Sequence, residues 1–314
     1  MFAAALLLAA AVGAPENPPL PQRLGAFGRG EIGVLRVAPG ERALYDEYGF
    51  RAAYRADYMD GQGRRMTVES LRFLDSEGAH AAYLCSRPVG GVSPMIWNID
   101  AVTGGGATVV EFHNYMLRFH GALPSISSHL EEMLAALPSL AADAAPWDVS
   151  GRYLDKLSTR AILGPVSLER FAPKIPPSVA GFRLGAKGRT ARFETPAGAV
   201  TEVVFEYPTE DVAQNRAEAV EALPSATVRV EPTCASVIFE PVDPAVAKEL
   251  QDEYFCGPVG VDWDPATMWD GPMTLGDGLS LMLWGFVVGA VFAGTRQFAK
   301  AKDPFPNRMI FLQL

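Results

Sequence analysis

The sequence predicts an α+β protein of two tandem, duplicated β-β-α-β-β-α units with antiparallel hairpins, followed by one C-terminal transmembrane helix. Three observations lead there. Turn-rich stretches such as Asp60-Gly61-Gln62-Gly63 and Thr195-Pro196-Ala197-Gly198 separate runs of strand-forming residues, the mark of antiparallel hairpins. The order of hairpins and helices repeats, and Gly49-Phe50-Arg51 recurs 132 residues later as Gly181-Phe182-Arg183. Near the C-terminus, residues 278–295 carry no charge at all.

The chain opens on an apolar stretch, Phe2 to Ala14, that gives way to the proline-rich Pro15-Glu16-Asn17-Pro18-Pro19. A short apolar core followed by small residues and then polar chain reads as a secretory signal peptide over 1–14. No Lys or Arg precedes it, and Pro15 follows Val12-Gly13-Ala14, where proline hinders cleavage; an uncleaved, tethered N-terminus is the competing outcome.

The first α+β repeat is expected over 15–146. Strands Arg51–Tyr58 and Arg65–Phe73 form its first hairpin, with the apolar alternation slipping once between Val68 and Leu71. Ser76-Glu77-Gly78 opens a helix carrying Ala79, Ala82, Tyr83 and Cys85. Ala107–Phe112 and Tyr115–His120 make a second hairpin turning at His113-Asn114. A helix over Ser125–Leu137 puts Ile126, His129, Leu130, Met133, Leu134 and Leu137 on one side, with Ser127 or Ser128 placed to cap it.

The second repeat, 147–262, follows a linker at Ala141–Pro146, with Val149–Pro177 bridging into it. Its elements are Arg189–Glu194 with Val200–Tyr207, a helix capped by Thr209, Thr227–Glu231 with Ser236–Glu240, and a helix over Pro244–Phe255. A juxtamembrane linker (263–277) holds Trp263 and Trp269, then the transmembrane helix spans 278–295 and a cytoplasmic tail covers 296–314. Eighteen residues at about 1.5 Å each reach roughly 27 Å, close to the ~30 Å hydrocarbon core. Arg296, Lys300, Lys302 and Arg308 follow it, so the positive-inside rule places the tail in the cytoplasm and the bulk of the chain outside. Gly285, Gly289 and Ala293 line up at four-residue spacing, a face suited to pairing with another membrane helix.

A net charge of -9 argues against a nucleic-acid partner, because phosphate binding needs a basic surface. None of the three cysteines forms a C-x-x-C pair; in an oxidising compartment Cys234 and Cys256 can join across 22 residues, leaving Cys85 free, while the alternative is three buried thiols. Gly28-Arg29-Gly30-Glu31-Ile32-Gly33 matches the dinucleotide fingerprint, but it follows a proline-rich leader and precedes a short Val34–Val37 strand, with no βαβ unit. His80, His113, His120 and His129 lack metal-ligand spacing, although a fold bringing His120 to His129 would form part of a site. Ser93 and Ser125 lie in no nucleophile elbow, and Asp262-Trp263-Asp264 lacks the later ligands of a calcium loop. No catalytic residue and no cofactor is therefore assigned.

Tyr48-Gly49-Phe50, Val68–Asp75 followed by Gly78-Ala79, Leu163-Gly164-Pro165 and the closing Arg308–Leu314 resemble an uncharacterised, mainly acidobacterial family known as domain of unknown function 6599. The resemblance covers most of the exported region and brings no activity, cofactor or catalytic residue. The expectation is a non-enzymatic envelope protein of the inner membrane, acting by partner binding or within a membrane complex. A hydrolase with a site between the repeats is the alternative, and an extracytoplasmic sensor acting through its tail is a third. A deep pocket with paired carboxylates or converging histidines favours the hydrolase; a filled interface counts against it.

Overall fold

The computed structural model describes residues 20–93, 100–121, 133–134, 137, 152–239 and 243–253. All of these belong to one compact unit, Met1–Gly257; a second unit, Pro258–Leu314, contains none of them. The signal peptide, most of the Ser125–Leu137 helix with His129, the linker Ala141–Pro146, Cys256 and Asp262-Trp263-Asp264 therefore lie outside the described residues. So do the membrane helix with Gly285, Gly289 and Ala293, and the tail. Among the described residues no helix is long and apolar enough to cross a membrane.

The first sheet is antiparallel throughout. It comprises β1 (Arg23–Leu24), β2 (Phe27–Val34), β3 (Phe50–Met59), β4 (Arg65–Phe73), β5 (Ala101–Gly104), β6 (Ala107–Phe112) and β7 (Tyr115–Gly121), in the order β1-β2-β3-β4-β7-β6-β5. Helix α1 (Pro39–Glu47) joins β2 to β3, and α2 (Ser76–Ser86) follows β4. Pro39 suits the first helical position, where its missing N–H costs nothing. Asp75 caps α2 by accepting from Gly78 N at 2.8 Å.

The second sheet comprises β8 (Leu154–Ile162), β9 (Lys187–Thr195), β10 (Gly198–Glu206), β11 (Ala226–Glu231) and β12 (Cys234–Phe239), in the order β11-β12-β10-β9-β8 and again antiparallel. Between β8 and β9 run α3 (Pro165–Phe171) and α4 (Pro177–Ala180); α5 (Glu210–Glu221) follows β10 and α6 (Pro244–Glu253) follows β12. Thr209 caps α5, as its position before the apolar spacing predicts. Numbered along the chain, β2, β3, β4, β6 and β7 lie side by side in the order first, second, third, fifth, fourth. The strands β8 to β12 have the same order.

The recurring Gly-Phe-Arg has a local cause. Gly49 (φ 77°) follows α1, and Gly181 (φ 81°) ends α4, each in the left-handed region that closes a helix before a hairpin begins. In the second case a short 3-10 turn, Phe182–Leu184, intervenes before β9.

The interior is layered. Met66, Val68, Leu117 and Phe119 face one side of the first sheet and pack with Phe27, Tyr58, Met133 and Leu137. Leu71, Phe73 and Met116 face the other side and pack with Leu44, Tyr45 and Tyr48 around α2. Ala191, Phe193 and Ile238 of the second sheet meet Ala247 and Leu250 of α6, while Val203, Phe205 and Val237 on its opposite face meet α3, α4 and α5. Helix α2 touches β4, β6 and β7 of the first sheet and β8 of the second. Every residue from Gly78 to Leu84 is consequently buried.

The apolar alternation of β4 does slip between Val68 and Leu71: Met66 and Val68 face one core and Leu71 and Phe73 the other, while the pairing with β7 runs unbroken from Met66 to Arg72. Both faces of the strand are covered, so Glu69 and Ser70 are buried along with the apolar residues. Two expectations are corrected. The strand near the glycine-rich motif is Phe27–Val34 rather than Val34–Val37; it takes in the glycines, bulges between Arg29 and Ile32, and leaves the sheet before Pro39. Val149–Pro177 is not merely a bridge, since it supplies β8 and α3, with a register shift between Asp155 and Arg160 breaking the strand's period.

Gly78 makes the packing of α2 testable. A Cβ built there falls 2.0 Å from the carbonyl oxygen of Tyr48. On an exposed helix, glycine to alanine stabilises by about 1 kcal/mol. Here Gly78→Ala is expected to destabilise by on the order of 3 kcal/mol, measured as the shift in denaturant midpoint at constant m.

Candidate functional site

The strongest concentration of buried polar side chains joins the two sheets, built around the short residues of α2. With Gly78, Ala79, Ala81 and Ala82 lining the helix, β8 and β9 approach closely enough for side chains to bridge the joint. His80 is the one basic residue in the fully buried stretch.

Its two ring nitrogens face opposite ways. Nδ1 lies 2.6 Å from Glu111 Oε2 on β6, and Nε2 lies 3.2 Å from Arg189 Nη1 on β9. A guanidinium has only donors, so Nε2 accepts and the ring proton sits on Nδ1, donating to the Glu111 carboxylate. Glu111, His80 and Arg189 thus form one chain from the first sheet to the second. A recess opens beside it, lined by Ala161 and Leu163 together with Glu77, His80, Lys187 and Arg189. Lys187 Nζ bonds Glu77 Oε2 at 2.6 Å, so each ionisable group on the recess wall is paired with another. Beyond them, burial pushes the Glu206 carboxyl up, opposed by Lys187 and Arg189.

Further bonds fasten the same joint. Tyr48 Oη, buried so that its phenol is pushed well above the ordinary range, donates to Ala161 O at 2.9 Å. Arg87 Nη2 donates to Thr159 O at 2.8 Å. Glu47, at the end of α1, accepts from Val166 N at 2.7 Å and Ser167 N at 2.9 Å, closing the first turn of α3. Gly164 permits this, because a Cβ there falls 2.5 Å from Glu47 Oε2. Tyr48, Gly78 and Gly164, three residues of the motifs quoted above, therefore all act in this joint.

Of the other histidines named from sequence, His113 and His120 do not join His80 there, and His129 lies outside the described residues. His113 occupies the β6–β7 turn at φ 51°, and His120 Nε2 stands 3.7 Å from Glu69 Oε2, beyond hydrogen-bonding distance. Glu69 is also flanked by Arg118 and Arg55 at 3.7 and 3.8 Å. Among the described residues no group of three or more His, Cys, Asp and Glu is placed to hold a metal ion. Ser93 follows a turn beside β5, and Gly28, Gly30 and Gly33 lie in β2 with a strand, not a helix, as their setting. Cys85 is a free thiol, pushed up by burial, whereas Cys234 is disulfide-bonded. His80 itself escaped sequence reasoning, since Glu111 and Arg189 lie 31 and 109 residues away. One signal existed: a histidine set among alanines on a helix otherwise free of charge after its first turn.

No family model and no curated protein matches this chain. A solved structure described as crystal form III of TP0453 is similar over 73% of this chain and 97% of its own, with 11% identity and a TM-score of 0.24. A likeness that slight carries no argument.

The joint is open to measurement. Tyr48→Phe removes one buried donor and leaves Ala161 O unpaired, so a loss of about 1–2 kcal/mol is expected in equilibrium unfolding. A His80→Ala, Arg189→Ala double-mutant cycle should return a coupling energy of at least about 0.5 kcal/mol; strict additivity would remove the bridge from the account.

Proposed function

We propose that this chain is an exported, membrane-anchored envelope protein that works by binding a partner, within a membrane complex, and not by catalysis. The observation that carries the non-enzymatic reading is the closed joint. Its carboxylates and its histidine are spent on partners inside the protein, and the recess beside them is walled by paired charges. A hydrolase would need there an accessible nucleophile or a free acid–base pair.

Export is supported by the signal-like start and by the disulfide state of Cys234, because such bonds persist in oxidising compartments. Cys256 is the expected partner, since Cys85 is free. The anchor at 278–295, with Gly285, Gly289 and Ala293 as a helix-pairing face, rests on the sequence alone. The matching strand order of the two sheets supports an internal duplication, whose unit then begins with a strand and helix ahead of the first hairpin. Kinship with the domain of unknown function 6599 family rests on the sequence resemblance alone.

Two measurements test this reading. Non-reducing peptide mapping should yield a linked pair containing Cys234 and Cys256; alkylation of both without reductant would argue against an oxidising location. Affinity purification of the detergent-solubilised protein should recover a stoichiometric companion, and recovery of the bare chain alone would sink the complex hypothesis.

A further inference from the structure

Beneath α6, a buried carboxyl group has half of its hydrogen-bonding capacity unused. Glu202 sits on β10 with 1% of its surface exposed. Ser236 Oγ on β12 donates to Glu202 Oε1, and Oε2 has no partner. Gln251 of α6 completes the cluster: its Nε2 donates to Ser236 Oγ at 3.1 Å and to Thr227 O at 3.1 Å. The carboxyl is thus one bond removed from the helix that covers it.

The charged groups around this layer are engaged elsewhere. Arg189 of β9 bonds His80, Arg229 of β11 pairs with Glu231 and Asp252, and Glu249 of α6 pairs with Arg152. Glu206 lies two side-chain repeats further along β10 beside Lys187, and Lys248 of α6 is exposed. With no cation turned towards it, the Glu202 carboxyl is pushed up to about 7 by burial, opposed in part by the Ser236 hydroxyl.

We infer that Glu202 is a proton-dependent latch for α6: protonated, it lets the helix sit on the sheet, and ionised, it drives the helix off. A buried carboxylate with a single donor is strained by the loss of its hydration, and lifting α6 returns water to it. The sign follows from linkage. The seated state binds the proton more tightly than the open state, so seating is fully favoured below the ordinary carboxylate range. That advantage is lost as the pH rises through about 7. Helix α6 is the last described element of the chain.

Hydrogen exchange on the full chain between pH 5 and 9 tests the latch, read as protection factors so that the intrinsic pH dependence of exchange drops out. Protection of the α6 amides should fall by up to about tenfold per pH unit from the ordinary carboxylate range up to about 7 and level off above it, while β10 and β12 keep theirs. In Glu202→Gln the α6 profile should be flat across the range. A flat profile in the unmodified chain overturns the inference, as does a uniform fall through both sheets or an unchanged fall in E202Q. Should that variant fail to fold, carboxyl ¹³C titration of the unmodified protein decides: an inflection near 7 for Glu202 supports the latch, and one in the ordinary carboxylate range removes it.

Discussion

Everything in the described part of this protein depends on burying one helix, α2, between two sheets. A helix covered on all sides has no polar face to spare, which is why Gly78, Ala79, Ala81 and Ala82 dominate it. Small side chains bring the flanking strands close, and closeness creates the second constraint: any polar atom caught in the joint must find a partner there. Glu111, His80 and Arg189 meet that demand in series, and Tyr48, Arg87 and Glu47 meet it by capping backbone groups across the joint. The result is a boundary fastened by hydrogen bonds of fixed direction, which sets the register of one sheet on the other more sharply than apolar contact alone.

Two acids, Glu111 and Glu202, illustrate how much partners matter. Glu111 has an imidazole N–H at 2.6 Å and a guanidinium one residue beyond, so its charge is compensated where it lies. Glu202, more deeply buried, has one hydroxyl. Removing a carboxylate from water costs several kcal/mol unless it is paired and hydrogen-bonded, so the first site is a brace and the second a source of strain. Fold position alone does not distinguish them; the count of donors does.

Much of the architecture was legible in the sequence, and for identifiable reasons. The hairpins β3–β4, β6–β7 and β9–β10 announced themselves through Asp60-Gly61, His113-Asn114 and Pro196-Ala197-Gly198, β11–β12 through its paired strand-forming runs, and Ser76-Glu77-Gly78 and Thr209 marked where helices begin. What stayed hidden lacked period. Strand β2 is rich in glycine and bulged, β8 is interrupted between Asp155 and Arg160, and α1 buries only Leu44 and Tyr45. The joint was hidden more deeply, because its partners are tens to more than a hundred residues apart and only the stacking of sheets brings them together. Gly49, Gly78 and Gly164 stood out in sequence while their purpose did not: each marks a backbone turn or a close approach to another element.

Chain order gives the central helix a history. During synthesis α2 emerges with the first sheet and packs on β4, β6 and β7, but its outer side is covered only when β8 and β9 have been made. Through that interval a strip of apolar surface faces solvent, with the His80 imidazole held by Glu111 on one side and still lacking Arg189 on the other. The first half therefore completes its own interior only when the second half arrives to cover α2.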